Sequence, residues 1–355
     1  MVFALILLVL LILSLFGNLG QLTSSVVKVS GSHTRTHMAG PQLIEAVLED
    51  NDAKNKIAVV DVGGIITSSA LDRSGFTMVD LIKAQLDLAR DDSHVKAVIL
   101  KVDSPGGEVL ASDEIYQAIK HFQEGESAHP GKPVIASMGN LAASGGYYVS
   151  APCRWIVANE MTITGSIGVI MHTWNYRGLM NKVGLEPEVY KSGKFKDMLS
   201  GSRDKSEIPA EDRAKEKAMV DSLIQEVYGK FRGVVNEGRT NAYALNSKGN
   251  EPGKALVKDW ADYADGRVLS GTEAQKLGFV DELGNFDKAV ERARKITGIS
   301  SANLVKYEQR YDIGDFFSHL RQDRITYRQT GPRNGPAETP GRPSLLPFTH
   351  IAPLR

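Results

Sequence analysis

The sequence predicts an α/β domain of parallel strands joined by crossover helices, tethered behind an N-terminal membrane anchor helix. Three observations carry this. Between residues 57 and 122, short apolar runs alternate with segments whose apolar residues recur at helical spacing. Residues 1–16 are apolar except for Ser14, and no charged side chain appears before Lys28. Past about Arg321 the composition turns to Pro, Gly, Arg and Thr, which cannot bury enough surface to order itself. The expected organisation is an anchor over 1–22, a linker over 23–55, a folded domain over 56–300 and a C-terminal extension over 301–355, mostly disordered after about 321.

In chain order, the apolar start reaches the roughly twenty residues of a spanning helix if residues 17–22 contribute or if the true start lies upstream. A cleaved leader would carry a basic n-region and a small-x-small cleavage site, and neither is present. Residues 23–55 are polar and mixed, with a short helical pattern at 43–48, so folded structure is expected to begin at Lys56. Residues 57–64 read as a buried strand closed by a glycine turn. Met78, Leu81, Ile82, Leu86 and Leu88 mark a helix over 77–89. A strand over 95–102, a helix over 110–122 and a strand over 133–138 follow. Short strands are expected over 155–158 and 163–171, and a helix over 176–183 that stops at Gly184. Pro209 opens a long amphipathic helix to about Glu237. A short helix over 274–277, a strand within 278–284 and a helix over 286–296 close the domain.

Composition narrows the function. Lys plus Arg and Asp plus Glu both number 42, so no broad field favours nucleic acid. The single cysteine, Cys153, forbids an internal disulfide and sits in an apolar setting that suggests a buried small hydrophobe. No cysteine–histidine cluster has metal-ligand spacing, so neither metal nor cofactor is expected.

The chemistry centres on Met138-Gly-Asn-Leu-Ala-Ala-Ser-Gly-Gly-Tyr-Tyr148. It sets one hydroxyl, Ser144, among small residues where a strand gives way to a helix. Small neighbours admit a substrate backbone, and the Gly145 N–H is directed at an anion forming beside the serine. Upstream, Val102-Asp-Ser-Pro-Gly-Gly107 ends an apolar strand, where α/β folds place ligands. Downstream lie Thr164-Gly-Ser-Ile-Gly168 and, after Pro187-Glu-Val-Tyr190, the block Lys191-Ser-Gly-Lys-Phe-Lys-Asp197.

Together these blocks resemble the signal peptide peptidase A family of membrane-bound serine proteases, relatives of the Clp protease and crotonase folds, over residues 57–298. The resemblance implies an α/β fold of repeated ββα units. It also implies roles: Ser144 as nucleophile, Lys196 as general base, Ser166 as the hydroxyl that orients that amine, and Gly107 and Gly145 as oxyanion donors. Its further implications are peptide substrates such as remnant signal peptides, a homo-oligomer, and a single-pass cell-membrane protein with its catalytic domain on the extracytoplasmic side.

A lysine acts as a base only when neutral, which burial favours. Phe195, Met198 and Leu199 around Lys196 suit an apolar pocket, while Lys191 and Lys194 are chemically equivalent candidates that only the motif match sets aside. His172 is the alternative base, since Clp-type relatives use Ser-His-Asp. Two other functions compete with the protease: a crotonase-like acyl-CoA enzyme that needs no serine nucleophile, and an inactive membrane scaffold.

Overall fold

The computed structural model describes residues 40–70, 75–249 and 251–309. The expected anchor over 1–22, the start of the linker and the C-terminal tail beyond 309 lie outside the described residues. Among those described, no helix is long and apolar enough to cross a membrane.

The domain is organised by a parallel sheet. Strands β2 (Lys56–Gly63), β3 (Val95–Ser104), β4 (Val134–Ala143) and β5 (Trp155–Ala158) lie side by side in that order. Between them run α1 (Met78–Asp91), α2 (Val109–Glu124) and the short α3 (Gly145–Ser150). Strand β3 shows why the sheet is buried on both faces. Its Val95, Val98, Leu100 and Val102 join the cluster that includes α1, α2 and α3 residues. Its Ala97 and Ile99 join the opposite cluster with Ala289 and Ala293 of α7 (Phe286–Thr297). A near-continuous apolar run is what a strand covered on both sides requires.

Helix α1 begins where the sequence supplies a capping box. The Thr77 hydroxyl accepts from the Asp80 N–H at 3.1 Å, and the Asp80 carboxylate accepts from the Thr77 N–H at 2.9 Å. At its other end the Lys132 ammonium donates to the carbonyls of Ala89, Arg90 and Asp92 at 2.7–2.9 Å. A cation there satisfies carbonyls that the helix leaves open.

Beyond β5 the chain returns to the sheet's carboxyl end. Strand β6 (Ile163–Gly165) pairs parallel with the last residues of β4, and β7 (Val268–Ser270) pairs antiparallel with β6. Helix α4 (Arg177–Lys182) and the long α5 (Ala210–Lys248) lie between them in sequence, and α6 (Gly271–Lys276) follows β7. Strand β8 (Glu282–Leu283) adds to β5, while β9 (Asn303–Gln309) adds to β2 and carries β1 (Leu43–Glu49) on its outer side.

Three expectations are corrected. Residues 43–48 form a strand and not a helical turn. Leu43 and Ala46 are the partly covered positions of its first four residues, a spacing that mimics a helix, but β9 supplies the ladder that decides the conformation. The strand expected over 163–171 stops at Gly165, because Gly165 (φ 74°) and Ser166 (φ 51°) turn the chain out of the sheet. Helix α5 continues past Glu237 to Lys248, since Gly238, Arg239, Ala242 and Asn246 are buried against the body. There the Arg239 and Asp281 side chains, both 0% exposed, form an ion pair. Arg239 also donates to the Cys153 carbonyl at 3.0 Å, and Asp281 accepts from the Ile156 N–H at 2.8 Å.

Candidate active site

Strand β4 delivers the chain to Ser144 at the carboxyl end of the parallel strands. Ser144 holds φ 53° and ψ −120°. Such a conformation costs a non-glycine residue about 1–3 kcal/mol and persists only where the surroundings over-determine it. They do so here. The Ser144 N–H donates to the Gly165 carbonyl at 2.9 Å, and the Ser144 carbonyl accepts from the Tyr148 N–H at 2.8 Å. Helix α3 is pinned by its tyrosines: Tyr147 donates to the Phe279 carbonyl at 2.9 Å and Tyr148 to Asp113 at 2.7 Å. Burial pushes both phenols well above the usual tyrosine range, so they remain neutral donors. Half-buried Ser144 stands at a strand-to-helix corner, and among the described residues its hydroxyl has no hydrogen-bond partner.

The turn after β3 meets this corner with glycine against glycine. A Cβ on Gly106 would stand 2.5 Å from the Gly145 nitrogen and 2.9 Å from the Ser144 Cβ, and Gly106 has φ 94°. A Cβ on Gly145 would stand 3.2 Å from the Gly107 nitrogen and 2.6 Å from the Ser112 hydroxyl. Only glycines allow this approach. Neither the Gly107 N–H nor the Gly145 N–H has an acceptor among the described residues. Two backbone donors without acceptors thus lie in the two glycine turns that meet beside Ser144, an arrangement able to stabilise the oxyanion of an acyl-transfer intermediate.

Sequence reasoning missed one supporting residue, Ser104. It is buried, and its hydroxyl accepts from the Gly106 N–H at 3.0 Å. The signal was available, because a serine two residues before a glycine commonly hydrogen-bonds the backbone of its own turn.

Ser166 is brought to the same place. It follows Gly165, the residue whose carbonyl holds the Ser144 N–H, and its own N–H donates to the Arg267 carbonyl at 2.7 Å. Among the described residues, Lys196 makes no hydrogen bond to Ser144 or Ser166. It lies between α4 and α5 in a turn closed by its N–H to the Gly193 carbonyl at 3.2 Å, and its side chain is exposed. The apolar pocket expected around it is therefore not closed among the described residues. The neighbouring lysines are committed elsewhere: Lys191 pairs with Asp197 at 2.8 Å and Lys194 with Asp212 at 2.7 Å. Lys196 has no carboxylate partner among the described residues, and His172 is exposed and likewise unpartnered.

Cys153 is buried, and burial pushes its thiol up to about 12, far from a reactive thiolate. Among the described residues no three His, Cys, Asp or Glu side chains are grouped to hold a metal.

Comparison with known proteins gives this geometry its relatives. The model of peptidase family S49 matches residues 126–300, and that of Clp protease matches residues 52–163. The chain is 32% identical over 274 residues to a protein of Enterococcus faecium named for signal peptide peptidase SppA, covering 75% of this chain and 71% of that one. It is 35% identical over 246 residues to a protein of Synechocystis named as a protease, covering 69% and 76%. Against the chloroplastic serine protease SPPA of Arabidopsis thaliana the identity is 31%, over 69% of this chain and 33% of that one. A solved structure of the membrane-bound stomatin-specific protease 1510-N, in complex with a substrate peptide, aligns with TM-score 0.40 at 18% identity, covering 76% of this chain and 99% of that one. The chain belongs to the signal peptide peptidase A group of peptidase family S49, and is a serine protease of that family.

Proposed function

We propose that the protein is a membrane-anchored endopeptidase that cleaves apolar peptides with a Ser144–Lys196 dyad. The Ser144 hydroxyl attacks the scissile carbonyl while the neutral Lys196 amine takes its proton. The oxyanion is held by the Gly107 and Gly145 N–H groups, and Ser166 orients the amine. Lys196 then returns the proton to the leaving amine, and water hydrolyses the acyl-enzyme by the same route. The observation that carries this reading is the meeting of a strained Ser144 with two unpaired glycine N–H groups. The engagement of Lys191 and Lys194 in ion pairs favours Lys196 as the lysine left for the base.

Apolar side chains flank the corner. Ile65, Val109 and Leu110 are exposed on the Gly107 side, and Met161, Ile163 and Val268 on the Ser166 side. Such a rim suits hydrophobic peptides, and the names of the relatives point to cleaved signal peptides as the substrate class. The apolar run over 1–22 would anchor the domain at the cell membrane, with a single pass and the catalytic part on the extracytoplasmic side.

The exposed position of Lys196 is accommodated by assembly. Ile170, Met171, Trp174, Leu179, Val183, Leu185 and Leu199 are all exposed along the segment that bears it. In a homo-oligomer this segment would be covered by another copy, excluding water from the amine and bringing it to a Ser144 hydroxyl. The test is hydrolysis of an apolar peptide by the wild type and by Ser144→Ala, Lys196→Ala and His172→Ala. Loss in the first two with retention in the third is expected. Activity surviving Lys196→Ala but lost in His172→Ala would overturn the dyad.

A further inference from the structure

Glu108 occupies the N-cap position of α2, yet its side chain caps nothing in that helix. A short carboxylate such as aspartate at that position ordinarily accepts from the first-turn N–H groups. The Glu108 side chain instead turns back to the segment after β2. One carboxylate oxygen accepts from the Thr67 hydroxyl at 2.9 Å. The other accepts from the Ser68 N–H at 2.8 Å and from the Ser68 hydroxyl. Thr67 in turn accepts from the Ser69 N–H at 3.0 Å, which tightens the same short segment.

That segment grips the oxyanion turn. The Ile66 N–H donates to the Gly106 carbonyl at 2.9 Å, and the Ile66 carbonyl accepts from the Glu108 N–H at 2.9 Å. The Gly106 carbonyl and the Gly107 N–H belong to one peptide unit, planar and trans, so they point in opposite directions. Whatever holds the carbonyl aims the N–H. Two adjacent glycines otherwise leave this unit free to rotate, since neither side chain resists it. The contact is close as well as directional: a Cβ on Gly107 would stand 2.0 Å from the Ile66 carbonyl oxygen.

We propose that Glu108 is a positioning residue of the oxyanion site: by tying down Thr67 and Ser68 it keeps the Ile66 N–H on the Gly106 carbonyl, which locks the Gly107 N–H toward Ser144. The proposal rests on the reading of Gly107 as an oxyanion donor. Hydrogen bonds from the Ser68 hydroxyl and N–H, then from Thr67, hold the Glu108 carboxyl below its ordinary value, so the acceptor is ionised at neutral pH.

The experiment measures the rate at which a fluorophosphonate modifies Ser144, together with kcat and KM on an apolar peptide. It uses the full chain as wild type, Glu108→Ala, Glu108→Gln and the Thr67→Val/Ser68→Ala pair, each also examined by thermal unfolding. Glu108→Ala is expected to lower phosphonylation and kcat by about ten- to a hundredfold, with KM and Tm nearly unchanged. Glu108→Gln should recover most of that loss, because its amide oxygen still accepts from Ser68. Adding the Thr67/Ser68 changes to Glu108→Ala should cost little more, since both act on one contact. Glu108→Ala within about twofold of wild type, a rise in KM alone, or a loss that follows Tm and resists the Gln variant would overturn the proposal. A wild type that never labels at Ser144 removes the underlying reading, and the proposal with it.

Discussion

Replacing Gly106 by alanine tests the closeness of the two glycine turns. The new Cβ would begin 2.5 Å from the Gly145 nitrogen and 3.1 Å from the Ala143 carbonyl oxygen, against an ordinary contact of at least 3.4 Å. All of these neighbours are main-chain atoms or the Ser144 Cβ, so none can swing aside. Relief requires the Gly106–Gly107 turn to withdraw by about 0.9 Å, on the order of the misplacement that costs a hundredfold in a positioned reaction. The φ of 94° adds about 1–2 kcal/mol of strain for an L-residue. Acylation by an activated peptide ester is therefore expected to fall about a hundredfold, equivalent to about 2.7 kcal/mol of transition-state stabilisation. Gly233→Ala is the matched control. Gly233 is exposed in the interior of α5 with nothing within 4 Å of a new Cβ, so alanine should raise stability by about 0.5–1 kcal/mol and leave acylation alone. A folded Gly106→Ala variant that acylates within about threefold of the wild type would refute the argument, because the turn would then not be held against Ser144.

Asp281→Asn strands the buried Arg239 charge and should cost about 3–5 kcal/mol, lowering Tm by about 10 °C, as read by calorimetry. Cys153 should resist iodoacetamide at pH 8 in the folded protein and react once urea unfolds it, since burial keeps its thiol protonated. The Asp80 carboxyl is held below its ordinary value of 3.8, first by the Thr77 N–H and then by the Thr77 hydroxyl. Its contribution is thus fully present above pH 3.8 and lost as pH falls through the depressed folded value. Asp80 is exposed, so Asp80→Asn should lower stability by less than about 1 kcal/mol at pH 7, a gap that closes in acid. If, as proposed, another copy covers the exposed segment bearing Lys196, dilution should lower specific activity; activity per mole that is constant over a hundredfold dilution would count against that assembly.

Much of the site was legible because its determinants are local. A serine among small residues between strand and helix, and a Pro-Gly-Gly turn at a strand's carboxyl end, are visible within a few positions of each other. The strands from Ile57 to Ala158 announce themselves for the same reason, since runs such as that of β3 are apolar on both faces. What was hidden depends on partners far along the chain. Strand β1 looks helical by spacing until β9, more than 250 positions later, offers it a ladder. Glu108 reads as an ordinary surface carboxylate, because its partners Thr67 and Ser68 lie about forty positions upstream. The setting of Lys196 was legible as apolar sequence, yet apolar neighbours bury an amine only if another surface closes over them. Among the described residues no surface closes over it.

The proposed mechanism requires the Ser144 oxygen to be the nucleophile. Treatment of the protein with a fluorophosphonate, followed by proteolysis and mass mapping of the adduct, reads this directly. A single adduct on Ser144, absent in Ser144→Ala, is the predicted result. An adduct at another residue that survives Ser144→Ala would contradict the claim that the strained serine at the end of β4 is the nucleophile.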